Sequence, residues 1–393
     1  MSRVFNGRRL KEARLYNQLT ITKLAEELDV SKQMISKYEN GKSEPSFEKS
    51  LLLTSILSYP REFFYSKEPV KINNEGVFFR SRLTATQKSK KPAAIALKYS
   101  VMVRDFLEQY IDFPILRSRE HYEEIVDAEG KVDIEKIALK IRAEMELGLE
   151  PIEDIVEIAE LMGFTVISLT YSEEKVDAFS SMNTINGKEY FVIVTGDSGS
   201  FYRQQFSIAH EIGHWALHQG IDPQELDKEE YKVMENEANK FSSYFLLPAE
   251  TFGEELKLKI VDDIDTYFNM KKKWRVSMAA MIKRARDLQI ISVDQEIKLY
   301  KQMHYRNWRN PEPFDLETKV TEPVAFKQSL ELLIDEGILQ GHEIKSKIAQ
   351  QYNLYLTDSM LAQICGVEKA IFNNDNESKV VLKLKDFRKR EAH

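Results

Sequence analysis

The chain has 393 residues, 42% hydrophobic and 30% charged, with seven His and a single Cys. These values predict two or three domains with real cores and exclude a disordered or fibrous protein. Cys365 alone rules out an intramolecular disulfide and a cysteine-rich zinc module, so any metal must be held by His and carboxylate. No apolar run is long enough to span a bilayer, and residues 1–10 carry Arg3, Arg8 and Arg9 without an apolar signal core, so a cytoplasmic protein without membrane contact is expected. The net charge of −7 is unevenly spread. Residues 1–98 hold 19 Lys and Arg against 10 Asp and Glu, an excess of nine, which leaves −16 for the remainder. A basic head on an acidic body points to nucleic-acid contact at one end.

Residues 7–46 break into short helices. Leu10, Ala13 and Leu15 give an apolar side to a first helix ending near Asn17. Thr20 caps a second, with Ile21, Leu24, Ala25 and Leu28 inward. After the tight turn Asp29-Val30, Ser31 caps a third, in which Met34, Ile35 and Tyr38 face inward and Asn40-Gly41 is the stop. Such a pair presents the amino-terminal residues of its second member to a major groove. Ser31, Lys32, Gln33, Ser36 and Lys37 supply the polar groups for that contact. With Ala25, Val30-Ser31, Ile35 to Gly41 and Pro45 at these positions, residues 6–65 resemble the XRE/Cro family of helix-turn-helix domains. That resemblance implies a double-stranded DNA operator as partner. A two-fold operator makes a homodimer the expected state.

Residues 69–134 read as a basic linker and helical connector: polar to Pro92, with a short extended piece at Val77 to Arg80, then helical from Ala93 to Tyr110. Lys88, Lys90 and Lys91 fit phosphate contact or simple solvation equally. Two amphipathic helices follow, Ile134 to Ala143 and Ile152 to Met162, the second ended by Gly163.

Strands are expected at Phe164 to Leu169, Ala178 to Asn183 and Glu189 to Thr195, with hairpin chemistry at Ile185 to Lys188. Next comes a helix, Phe206 to His218, containing His210-Glu211-Ile212-Gly213-His214. At this composition His-Glu-x-x-His arises by chance on the order of once in a hundred chains, so it outweighs the reading as two ordinary helix histidines. Two imidazoles at i and i+4 grip one zinc per chain, and Glu211 beside them is placed to act as the base. Gly213 costs the helix about 1 kcal/mol relative to Ala, which suggests a close neighbour. On the following helix, ended by Pro248, Glu235 and Asn239 share a face. Glu235 is the expected third ligand and Asn239 the group orienting a metal-bound imidazole, with Glu237 the alternative ligand and His218 a pocket-wall or surface residue.

His210 to His214, the preceding Phe206 to Ala209, His218, and Glu235 to Phe241 with Leu246-Leu247-Pro248 resemble the ImmA/IrrE family of zinc metallopeptidases over residues 135–260. The resemblance implies a gluzincin-like helix pair, with His210, His214 and Glu235 as ligands, Glu211 as catalytic base, and a DNA-bound repressor as the protein substrate. An extended peptide would pair with an exposed edge strand, expected at Glu189 to Thr195. Tyr171, Tyr190, Tyr202 and Arg203 are candidates for the oxyanion.

Residues 261–393 are expected to be helical: two helices over 264–300 with Trp274, Val276, Met278, Met281 and Ile282 as core stripes, a loop at Asn307 to Pro313, helices at Phe326 to Leu339 and Ile344 to Tyr352, and a strand-like stretch with a basic tail from Lys379. The fold class is α+β, mainly α: an all-helical head over 1–68, the connector over 69–134, a zincin-like domain with a small sheet over 135–260, and the helical end. Two functions compete. One is a transcriptional regulator that is also a zinc endopeptidase; the other is a non-proteolytic transcription factor whose zincin-like domain senses a ligand or partner. Retention of Glu211 favours the first, since a purely structural site needs no adjacent base.

Overall fold

The computed structural model describes residues 4–68, 72–74, 78–79, 87–119, 122–169, 178–196, 199–223 and 225–373. The fold is mainly helical with one small sheet, as the class predicts. The head is α1 (Gly7–Tyr16), α2 (Ile21–Leu28), α3 (Lys32–Glu39), α4 (Phe47–Leu57) and α5 (Arg61–Phe64). Thr20 and Ser31 cap α2 and α3 through side-chain oxygens, and Asp29 makes the turn between them at φ 51°. The apolar stripes meet at Leu10, Ala13, Leu24, Leu28 and Ile35, all buried. Arg14 fastens α1 to α3, its Nε 2.5 Å from Glu39 Oε1 and its Nη2 3.1 Å from Oε2.

Two-residue strands β1 (Asn73–Asn74) and β2 (Phe78–Phe79) precede α6 (Gln87–Leu107), α7 (Ile134–Glu144), α8 (Ile155–Leu161), β3 (Thr165–Ser168), β4 (Ala178–Ile185), β5 (Lys188–Thr195), α9 (Phe201–Leu217) and α10 (Lys228–Leu246). The hairpin β4–β5 turns at Asn186 and Gly187, both at positive φ, as the sequence there requires. Strand β3 runs parallel to the far side of β5, while β1 and β2 both pair with β4, giving the order β1-β4-β5-β3. Glu189 to Thr195 therefore forms an interior strand, not the edge expected for a peptide. With β4 along its whole length and β3 beside Val192 to Thr195, both rows of backbone groups are paired in that half of the strand.

The carboxyl-terminal part comprises α11 (Glu254–Lys257), α12 (Ile264–Trp274), α13 (Met278–Asp287), α14 (Val293–Tyr305), α15 (Ala325–Asp335), α16 (Gly341–Tyr352) and α17 (Asp358–Cys365). Three helices replace the expected two over 264–300, because Arg275 and Gln289 take positive φ and Ser277 and Ser292 start new caps. Helix α17, capped by Thr357, adds to the helices expected there. The sheet has a core on each face. One gathers Val166, Met182, Phe191 and Ile193 with Ile208, Ile212 and Trp215 of α9 and continues through Trp274, Met281 and Leu299, so packing crosses residue 260. The other gathers Ile167, Phe179, Val192 and Val194 with α6, the head and α15 to α17. Val77, Arg80, Tyr171 and the stretch from Lys379 lie outside the described residues, as do the side chains of Lys88, Lys90 and Lys91.

Candidate metal centre and recognition helix

Helix α9 begins earlier than expected, at Phe201, where Ser200 caps it by accepting from the Arg203 N–H. Helix α10 likewise starts at Lys228 behind a capping box made by Asp227 and Glu230. The two lie close because Gly213 has no Cβ: one built there would stand 3.1 Å from Cβ and Cδ1 of Phe241. The close neighbour inferred from Gly213 is thus α10 itself.

This contact brings His210, His214 and Glu235 together, with one ligand atom from each lying within 4.8 Å of the others. His210 Nε2 is 3.5 Å from Glu235 Oε2 and His214 Nε2 is 3.4 Å from Glu235 Oε1. A tetrahedral zinc with ligands at about 2.0–2.1 Å has edges of about 3.3–3.4 Å, so both separations suit the ion. The two Nε2 atoms are 3.0 Å apart.

The outer hydrogen bonds decide which nitrogens carry protons. His210 Nδ1 faces Asn239 Oδ1 at 3.2 Å and donates to it, leaving the lone pair on Nε2. His218 Nε2 lies 3.1 Å from Glu237 Oε2 and donates to that carboxylate, so its Nδ1 is an acceptor. His214 Nδ1, 3.0 Å from His218 Nδ1, is then the donor, and its Nε2 also presents a lone pair. Burial lowers the His218 imidazole below its ordinary value, outweighing the pull of Glu237, and so favours the neutral ring this chain requires. Burial also pushes Glu235 up, but the two imidazoles beside it draw it down to about 2. Two lone pairs and a carboxylate thus converge on one point, an arrangement that repels itself unless a cation sits there. The donor set fits zinc.

On the same helix Glu211 accepts a hydrogen bond at its Oε2 from Ser180 Oγ of β4 at 2.5 Å, which ties its carboxylate to the sheet. Ser180 carries no spacing signal, since strand and helix meet only in the folded chain. Glu237, the alternative ligand, contacts His218 rather than joining His210, His214 and Glu235, and His218 is buried rather than at the surface. His218 is the C-cap of α9 at φ −120°, so its ring leaves the helical face and reaches α10. Among the oxyanion candidates, Tyr190 hydroxyl donates to Asp105 and Glu108 on the opposite face of the sheet. Tyr202 hydroxyl meets Thr318, and Arg203 is exposed two turns before His210 on the same face of α9.

In the head, Ser31, Lys32, Gln33, Ser36 and Lys37 are all exposed, while Ile35 and Tyr38 are buried beneath them. Ser31 Oγ accepts from the Met34 N–H at 3.2 Å.

Residues 159–286 match the family model described as the IrrE N-terminal-like domain of a peptidase family, and residues 10–64 match a helix-turn-helix family model. No curated protein matches the chain. Among solved structures, a Mycobacterium tuberculosis transcriptional regulator is 18% identical over 47% of this chain and 51% of that one, with a TM-score of 0.29. The match spans about half the length of that regulator.

Proposed function

We propose that this helix-turn-helix head and IrrE-like body make a DNA-binding regulator with a zinc endopeptidase that cuts a regulatory protein, a repressor being the first candidate. The observation carrying this reading is the convergence of His210, His214 and Glu235 beside a separately held carboxylate, Glu211. Zinc bound there supplies Lewis acidity, lowering the pKa of a water and polarising a peptide carbonyl. Glu211 takes the proton from the attacking water and returns it to the leaving amine. Ser180 keeps the Glu211 carboxylate turned toward its work, because a donated hydrogen bond fixes one of the two oxygens. Asn239 holds His210, and the His218–Glu237 pair holds His214, each in the tautomer that offers Nε2.

The head supplies address. Lys32, Gln33, Ser36 and Lys37 meet base edges and phosphates from α3, and two copies of the chain read a two-fold operator. The test is a comparison of Glu211→Gln with wild type, both zinc-loaded, incubated with the repressors of the host and its mobile elements. New protein ends produced by the wild type alone support the peptidase. If Glu211→Gln leaves both the cleavage pattern and the regulatory output in cells unchanged, the body is a sensor and hydrolysis is not its function.

A further inference from the structure

Away from the metal ligands, three walls enclose a cleft of about 470 Å³: the segment Ile111 to Pro114 that follows α6, helix α8, and the start of α15 with the residues before it. Small-molecule sites typically measure about 300–1,000 Å³, so the cleft is of the right size for one. Its walls are fixed by buried polar contacts. Arg104, 2% exposed, holds its guanidinium carbon 3.7 Å from the centre of the Phe113 ring and donates to the carbonyl of Pro114 at 3.2 Å. Glu160 of α8, 9% exposed, accepts at Oε1 from the N–H of Val324 at 3.1 Å and of Ala325 at 3.0 Å. The cleft is therefore preformed.

Its lining is chemically one-sided. Ile111, Phe113, Leu161 and Leu332 make it apolar, and the carboxylates of Asp112, Glu157 and Glu322 stand among them. Asp154 and Glu160 line it as well, but both accept from backbone N–H groups. Among the described residues that line it there is no Lys, Arg or His. A cleft with low-dielectric walls and charges of one sign concentrates the opposite charge. A protein partner would cover about 800 Å² of surface, far more than this opening offers. We infer that the cleft binds a small organic cation with an apolar body, an alkyl or aryl amine, and that this ligand is an effector of the metal-binding helix.

The link to that helix runs through two adjacent glutamines. Gln204 of α9 donates to the carbonyl of Thr321 and accepts from its N–H, both at 2.8 Å, and Thr321 lines the cleft. Gln205, 1% exposed, accepts from the N–H of Ile155 at 2.8 Å and donates to the carbonyl of Ile152 at 3.1 Å, so it holds the start of α8. Two opposing walls are thus tied to the first half of the helix that carries His210 and His214. A ligand that clamps α8 to the start of α15 restrains α9 through both side chains. The inference stands whether or not the body is a peptidase.

The test uses the full chain with zinc bound and three probes in calorimetric titrations. Octylamine should bind at one site, at least about tenfold more tightly than octanoate, which has the same body and the opposite charge. Putrescine, with the charge but no apolar end, should bind as weakly as octanoate. Glu157→Gln plus Glu322→Gln, at exposed positions, should weaken octylamine by about fivefold or more. Leu332→Arg, also exposed, puts a cation into the cleft and should abolish binding. Equal affinity for octylamine and octanoate, or octylamine binding unchanged in the carboxamide variant, would overturn the site and leave an adventitious additive only. If Leu332→Arg does not fold, the carboxamide variant decides. The link is read by hydrogen exchange with octylamine at ten times its Kd, where amides of α8 and of residues 204–208 should slow by about tenfold and those of α2 should not change. Binding that leaves residues 204–208 exchanging as before would overturn the effector role.

Discussion

At the scale of single residues, the placement of protons, and not the His-Glu-x-x-His spacing alone, prepares the site for a metal. Asn239 and Glu237 each accept one ring proton, directly or through His218, and thereby aim two lone pairs at Glu235. Losing such an outer partner typically costs 10- to 100-fold in metal affinity, so His218→Leu should weaken zinc binding by roughly that factor. His218→Gln, whose amide can accept from His214 and donate to Glu237, should recover most of it. Competitive zinc titration checks both; wild-type affinity in His218→Leu would show that His214 needs no help with its tautomer. Cys365 supports a second prediction at this scale. It is buried on α17, and burial pushes its thiol up to about 12. Only the thiolate reacts, so native protein at pH 8 should resist iodoacetamide and become alkylated at one site in denaturant. Mass spectrometry of the native protein after alkylation reads the outcome directly.

At the scale of elements, the centre is a distance between two helices. Helix α9 supplies both imidazoles and α10 the carboxylate, and Gly213 against Phe241 sets their separation. Gly213→Ala gains about 1 kcal/mol of helix propensity but forces a side-chain atom into the Phe241 ring. Overpacking of this kind costs about 1–3 kcal/mol, so the variant should be less stable or at best neutral in urea. Zinc affinity should fall regardless, because the helices must part; a variant that binds zinc as well as wild type would place the control of spacing elsewhere. Periodicity made this pair legible. The i, i+4 relation puts His210 with His214 and Glu235 with Asn239, and the propensity cost of Gly213 announces a close packing partner. Ser180 and the identity of the edge strand were illegible for the opposite reason: both depend on which strands become neighbours, and local pattern does not encode that. The role of His218 was illegible for the same reason: its partner Glu237 comes from α10, and spacing along α9 does not say how the two helices pack.

At the scale of the molecule, helices and caps of the head follow from sequence, but its attachment does not. Apolar stripes predict that Leu10 and Ala13 are buried without saying against what. The structure merges the head, α6, one face of the sheet and α15 to α17 in a single core. Arg9 ties it together from a fully buried position. Its guanidinium donates to Glu12 at 3.0 Å, to the carbonyl of Lys67 at 3.0 Å and to the carbonyl of Asn353 at 2.5 Å, and it lies 4.7 Å from the centre of the Phe63 ring. Beside it, Tyr99 of α6 donates to Glu12 and meets Tyr59 hydroxyl at 3.0 Å. Removing one member of a buried charged group costs about 3–5 kcal/mol, since the partners stay behind unpaired. Calorimetry of wild type should therefore show the head melting together with α6 and the carboxyl-terminal helices, in one transition. In Arg9→Met, which keeps the volume but none of the donors, an early transition of the head should separate from the rest. A wild type whose head already melts by itself would mean that Arg9 and α6 do not hold it to the carboxyl-terminal helices.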